Sequence, residues 1–281
     1  MNNYEKLEGM VAATFTPLDE NGDVNLSVID KYADWIASTP IKGVFVCGTT
    51  GEFSSLAIDE RKLILEKWLV SARKRFKVIA HVGSNCQRSA MELARHAAQV
   101  GADAIASIAP SFFKPGTVDE LVDFFAPICH SAAGLPFYYY NMPSITGVNL
   151  PVDKFLVEGK KKIPNLVGTK FTHNNLMEMG VCIELEQHRF EVLHGYDEIL
   201  ISGLAMGAVA GVGSTYNYIP NVYQAIFDSM KMNDLETARH NQIKSIRTVE
   251  VIIKYGGGVR GGKAIMKLIG IDCGSCRLPI K

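Results

Sequence analysis

Five polar stretches interrupt otherwise apolar runs: GTTGE (48–52), FYYYNMPSITG (137–147), LVGTKFTH (166–173), GYDE (195–198) and GVGSTYNY (211–218). Lys170 sits inside the third, where four of the first six residues are apolar or glycine. Burying an unpaired ammonium costs several kcal/mol. Two readings stay open on residues alone. The head group could snorkel past the strand end into water. Alternatively, desolvation by Val167, Gly168, Thr169 and Phe171 could keep the amine neutral, as a nucleophile that forms a Schiff base with a ketone.

The other stretches are ambiguous in the same way. GTTGE offers the hydroxyls of Thr49 and Thr50 and closely spaced backbone N–H groups at a strand-to-helix turn, which suits a carboxylate. It also reads as an ordinary turn with a threonine cap. Tyr138, Tyr139 and Tyr140 alternate in facing, so Tyr139 points opposite to its neighbours. A tyrosine at a strand end can both donate and accept a proton, although most strand tyrosines pack. In GYDE, Asp197 and Glu198 either bind a ligand or cap the next helix.

The elements that must hold these residues alternate. Strand-like runs cover 10–16, 43–49, 77–83, 104–110, 136–142, 166–172, 191–195 and 208–214. Most are continuously apolar, as strands buried on both faces are. Helical segments separate them, such as DERKLILEKWLVSARKRF, starting from a cap at Asp59, and QRSAMELARHAAQVG, ending at Gly101 as a C′ glycine. This order predicts an α/β fold, a (β/α)8 TIM barrel, with active residues at the C-terminal ends of the strands. No G-x-G-x-x-G opens the first βα turn, which disfavours a doubly wound sheet. The barrel is expected over 1–220, with a three-helix C-terminal extension over 221–281 packed on it. GGGVRGG (256–262) reads as a flexible connection between helices and lacks the Walker Lys-Ser/Thr pair. Cys273 and Cys276 form a lone C-x-x-C without the second pair a zinc site wants. His81 and His194 lie near strand ends but show no metal-binding spacing.

Composition narrows the function classes. The 281 residues are 47% hydrophobic and 21% charged, with 29 basic and 29 acidic residues. That balance gives no footprint for nucleic acid or an anionic membrane. The opening MNNYEKLEGM lacks the basic and apolar regions of a signal peptide. No apolar run reaches the roughly 18 residues that suggest a span. Six cysteines, mostly within apolar runs, fit reduced thiols and a cytoplasmic location.

With these residues in order, the chain resembles the dihydrodipicolinate synthase/N-acetylneuraminate lyase family of class I aldolases. The likeness runs from GMVAATFTPLDENGDVN to RLPIK, with all five motifs in the family's order and spacing. It implies that Lys170 is the Schiff-base lysine and Tyr140 the residue handling the proton at the scissile bond. It further implies that Thr49, Thr50 and Gly51 form the turn holding the pyruvate carboxylate, with Thr49 beside the reacting hydroxyl. Thr172 matches a residue near the aldehyde-derived portion, and Gly195, Asp197, Glu198 and Ser214 match groups that bond a sugar's polyol chain. The implied reaction is reversible cleavage of N-acetylneuraminate to N-acetylmannosamine and pyruvate. It needs no metal or organic cofactor, only the covalent Schiff base on Lys170. A sister aldolase acting on a 2-keto-3-deoxy sugar acid and a non-catalytic pyruvate- or sialic-acid-binding barrel are the rivals. A homotetramer is implied, with small-molecule partners only.

Two departures stand out. The arginine that follows YN-x-P in dihydrodipicolinate synthases is absent from YNMPSITG, where Ser144 and Ile145 stand, which argues against a second substrate carboxylate there. Several members place a tyrosine after the fourth strand that enters a neighbouring subunit's site. Here APSFFKP offers only Phe112 and Phe113, so proton exchange with solvent must use another group or water.

Overall fold

Eight parallel strands pair each with the next, and the eighth returns to the first, closing a barrel. The computed structural model describes residues 4–132 and 134–280. The first three residues of MNNYEKLEGM and the final lysine of RLPIK lie outside the described residues. The strands are β1 (Gly9–Ala13), β2 (Gly43–Val46), β3 (Lys77–His81), β4 (Ala104–Ile108), β5 (Phe137–Asn141), β6 (Leu166–Phe171), β7 (Glu191–His194) and β8 (Ala210–Gly213). Between them run α1 (Val28–Ala37), α2 (Ile58–Ala72), α3 (Gln87–Val100), α4 (Val118–Ser131), the single turn α5 (Pro143–Thr146), α6 (Val152–Lys162), α7 (Leu176–Glu184) and α8 (Leu200–Ala205). After β8 come α9 (Pro220–Lys231), α10 (Leu235–Lys254) and α11 (Gly258–Leu268). This is the expected TIM barrel. Every strand stops short of its apolar run, β1 at Ala13 and β2 at Val46 by the most, three residues each. The residues beyond them leave the ladder and build the mouth.

Two apolar layers account for the continuous hydrophobicity of the strands. Val11, Phe45, Ala106, Tyr138, Tyr140 and Val212 fill the barrel, whereas Met10, Val44, Ile105, Tyr139 and Phe171 meet the surrounding helices. Tyr139 does face away from Tyr138 and Tyr140. Of the expected helix ends, Gly101 is a left-handed C-terminal cap with φ of 84°. The cap expected at Asp59 is corrected: Ala57 holds the cap position, two residues earlier, so α2 starts at Ile58 and Asp59 lies in its first turn. Glu60 closes that end by accepting from the Ala57 N–H at 2.8 Å.

The glycine-rich segment is also corrected. Gly256 and Gly257 make the turn, with φ of 94° and 95°, but 258–262 are already the first turns of α11. Their glycines serve close packing. A Cβ on Gly262 would stand 2.3 Å from the Phe15 ring, and one on Gly261 3.0 Å from Ile252. The helix therefore lies directly on the barrel rim.

One irregularity in β6 matters most for the site. The register against β5 runs Phe137 to Leu166 and then Tyr138 to Gly168, so Val167 is an extra residue, a β-bulge. Leu166 packs outward among the helices. Strict alternation would send residue 170 outward too; the bulge shifts the parity and turns Lys170 into the barrel beside Tyr140. Gly168 is required at this crowded point, because a Cβ there would fall 2.0 Å from the Glu191 carbonyl oxygen of β7. We expect Gly168→Ala to lower stability by about 1–3 kcal/mol through overpacking. A urea midpoint equal to that of wild type would contradict the close approach.

Candidate active site

At the barrel mouth, the β6 bulge delivers Lys170 to a place with 5% exposure. Its Nζ lies 3.7 Å from the centre of the Tyr140 ring and 4.9 Å from that of Phe45, an aromatic cradle for a cation or an amine. Among the described residues it has no carboxylate partner. The Tyr140 hydroxyl lies 3.2 Å from Thr49 Oγ1 and donates to Met142 Sδ at 3.1 Å. Three elements thus converge: Lys170 on β6, Tyr140 on β5, and Thr49 on the turn after β2.

That turn is fixed at both ends. Cys47 (φ 55°) and Glu52 (φ 56°) are non-glycine residues in the left-handed region, each costing on the order of 1–3 kcal/mol. The Cys47 carbonyl is 2.8 Å from His81 Nδ1. Arg61, itself buried, donates to the His81 and Gly83 carbonyls. Burial and the Arg61 charge hold His81 well below the usual imidazole range. A neutral ring with Nδ1–H fits that contact. Thr16 donates to the Gly51 carbonyl at 2.7 Å. The amides of Thr49 and Thr50 have no partner among the described residues, so they are free to bind an anion.

Behind β7, Asp197 is buried and accepts from the Thr215 N–H at 2.9 Å and the Thr215 hydroxyl at 2.6 Å. Burial pushes its carboxyl up to about 6; the two Thr215 hydrogen bonds pull against that shift, and Glu198 adds to it. Its Oδ1 has no partner among the described residues, nor has Thr172 Oγ1. Two glycines make room for them. A Cβ on Gly213 would sit 1.7 Å from Asp197 Oδ1, and one on Gly195 would sit 1.9 Å from Thr172 Oγ1.

A cavity of about 300 Å³ connects these groups. Thr49, Thr50, Tyr140, Lys170, Thr172, Gly195, Asp197, Glu198 and Ser214 all line it. Gly51 does not; it packs against Cys47 and the Thr14 carbonyl, where a Cβ would come within 3.1 Å. Sequence reasoning missed Met142, although it lies inside the YNMP element. It also missed the wall that α10 and α11 supply through Ile253 and Val259, which carry no polar signal. His194 points to the helix layer against Gly203, and Phe112 and Phe113 are exposed on the loop after β4, away from the cavity.

The chain matches the profile of the Dihydrodipicolinate synthetase family over residues 6–281. It is similar to N-acetylneuraminate lyase of Mus musculus, 43% identical over 99% of this chain and 88% of that protein. The lyase of Gallus gallus is 43% identical over 100% of this chain and 92% of its own. Among solved structures, N-acetylneuraminate lyase of Proteus mirabilis superposes with a TM-score of 0.96 at 37% identity, covering 99% of this chain and 93% of that one.

The raised Asp197 carboxyl has a stability signature. Between its ordinary value of 3.8 and about 6, the unfolded chain loses this proton while the folded protein keeps it. Stability therefore falls as pH rises through that window and is level above it. Asp197→Asn lacks this titration, so its stability relative to wild type is expected to rise between pH 4 and pH 7 by on the order of 3 kcal/mol. A pH-independent difference in urea unfolding would show that the carboxyl is not held in a desolvated site.

Proposed function

Because the chain belongs to the dihydrodipicolinate synthetase family, we propose that it is a Schiff-base aldolase cleaving N-acetylneuraminate to N-acetylmannosamine and pyruvate, reversibly. The observation that carries this reading is the Lys170 amine over the face of Tyr140, whose hydroxyl meets Thr49 at 3.2 Å. A simple binding protein would need neither a buried unpaired amine nor a hydroxyl pair beside it.

The chemistry follows from the placement. Unprotonated Lys170 attacks the 2-keto carbon of the open-chain sugar acid, and loss of water leaves an iminium ion. The substrate carboxylate lies on the free amides and hydroxyls of Thr49 and Thr50. Tyr140, oriented by Thr49, gives its hydroxyl proton to the oxygen that departs as water, and the phenolate left behind takes the proton of the C4 hydroxyl as general base. The C3–C4 bond breaks, its electrons pass into the iminium, and N-acetylmannosamine leaves with an enamine still bound. The enamine is protonated at C3, and water then hydrolyses the imine to release pyruvate and the free amine. The iminium is itself the electron sink, so the sequence requires no metal or organic cofactor. Asp197 Oδ1, Thr172 Oγ1, Glu198, Ser214 and the open space at Gly195 receive the polyol chain.

We read the protein as cytoplasmic, in keeping with six free cysteines. No helix among the described residues is long and apolar enough to cross a membrane. We also read it as a homotetramer, which the family membership supports and light scattering would test.

Borohydride with pyruvate is expected to add the mass of a reduced pyruvate adduct at Lys170, and Lys170→Ala to abolish both adduct and cleavage. Tyr140→Phe should keep the adduct but lose about 10²- to 10⁴-fold in kcat. Product analysis should show N-acetylmannosamine from N-acetylneuraminate and little turnover of 2-keto-3-deoxygluconate. An unmodified wild-type chain would sink the Schiff-base assignment, and preference for the second substrate would move the protein to the sugar-acid aldolases.

A further inference from the structure

The turn that carries Thr49 and Thr50 ends in Glu52, a residue the reaction does not use. Glu52 is left-handed, with φ of 56°, and only 3% exposed. Its Oε1 lies 2.7 Å from Nζ of Lys263 on α11, an equally buried side chain. The approach is off the hydrogen-bond axis of Oε1, so the contact is chiefly electrostatic. Oε2 accepts from the Arg277 N–H at 2.8 Å, and Lys263 donates to the Ser275 carbonyl at 2.7 Å. Arg277 extends the clasp to the start of α2, with its guanidinium on Glu60 at 2.5 and 2.7 Å and on the Ser55 carbonyl at 2.9 Å.

A non-glycine residue is uncommon in the left-handed region. Local backbone bonds help to hold Glu52 there, its N–H donating to the Thr49 carbonyl at 3.1 Å and its C=O accepting from the Ser55 N–H at 2.8 Å. Its carboxylate adds the long-range anchor, drawn to a cation from a distant part of the chain. Released, Glu52 would relax toward an ordinary conformation and rotate the turn behind Thr49 and Thr50. The first end of the turn is tied to the barrel through His81; the Glu52 end is tied, through its side chain, to the C-terminal segment.

We infer that Lys263 is a positioning residue: through Glu52 it holds the carboxylate-binding turn in register with Tyr140 and Lys170. The inference rests on the Schiff-base reading above and deepens it, tying the helical extension to the catalytic geometry. Lys263→Met tests it, and the double variant Lys263→Met/Glu52→Gln removes both charges while keeping an acceptor for the Arg277 N–H. The double variant serves if the single one, left with a buried bare carboxylate, does not fold.

The readout is borohydride trapping of pyruvate on Lys170 as a function of pyruvate concentration, with circular dichroism reporting the fold. A turn displaced by an ångström or so should raise the half-saturating concentration about tenfold or more. The trapping rate at saturating pyruvate should stay within about twofold of wild type, because Lys170 itself is untouched. A folded variant with wild-type half-saturation overturns the inference. So does one in which only the trappable fraction falls, since that marks a purely structural role. A wild-type chain that is never trapped sinks the Schiff-base reading itself, and this inference with it.

Discussion

An amine placed inside an apolar barrel, with no ion-pair partner among the described residues, is the constraint the rest of the molecule answers to. Water would solvate an ammonium there far better than aromatic faces do. The protein meets this with a specific backbone device. The bulge at Val167 turns Lys170 inward, and Gly168 lets β6 approach β7 closely enough for the ladder to continue past it. Tyr140 then serves twice, its ring lying under the amine and its hydroxyl meeting Thr49 on the turn after β2.

Much of this was legible in the sequence because barrel strands are apolar on both faces, so polar residues at their ends stand out. The eight runs, the alternate facing of the tyrosines and the polar strand ends needed only periodicity and burial. What stayed hidden depended on long-range geometry. The parity shift at Val167 is invisible in LVGTKFTH, where both neighbours of the bulge are plausible strand residues. GGGVRGG looked flexible because glycine is a poor helix former. Packing against Phe15 and Ile252 outweighs that penalty, since only a residue without a side chain fits against them. Asp59 resembled a cap, but Ala57 with Glu60 reaching back closes the helix instead.

The polar half of the cavity shows a second layer of organisation. Asp197 is held by Thr215, Thr215 shares its hydroxyl with Tyr223, and Tyr223 meets Ser245 on α10 at 2.7 Å. A buried, hydrogen-bonded chain of this kind fixes one carboxyl oxygen and leaves the other facing the cavity. No motif encodes it, because its members lie on the turns after β7 and β8 and on α9 and α10. Only the fold brings them together.

The Glu52–Lys263 pair also bears on how the molecule comes into being. Breaking a buried pair by removing one partner typically costs about 3–5 kcal/mol, and during synthesis one partner is absent. The ribosome releases GTTGE and all eight strands before it releases Lys263 and Arg277, so a barrel could close around a turn whose carboxylate still lacks its cation. Barrel formation and site formation are then separate events in time. The nascent chain would acquire its architecture first and its competence only when the C-terminal segment docks.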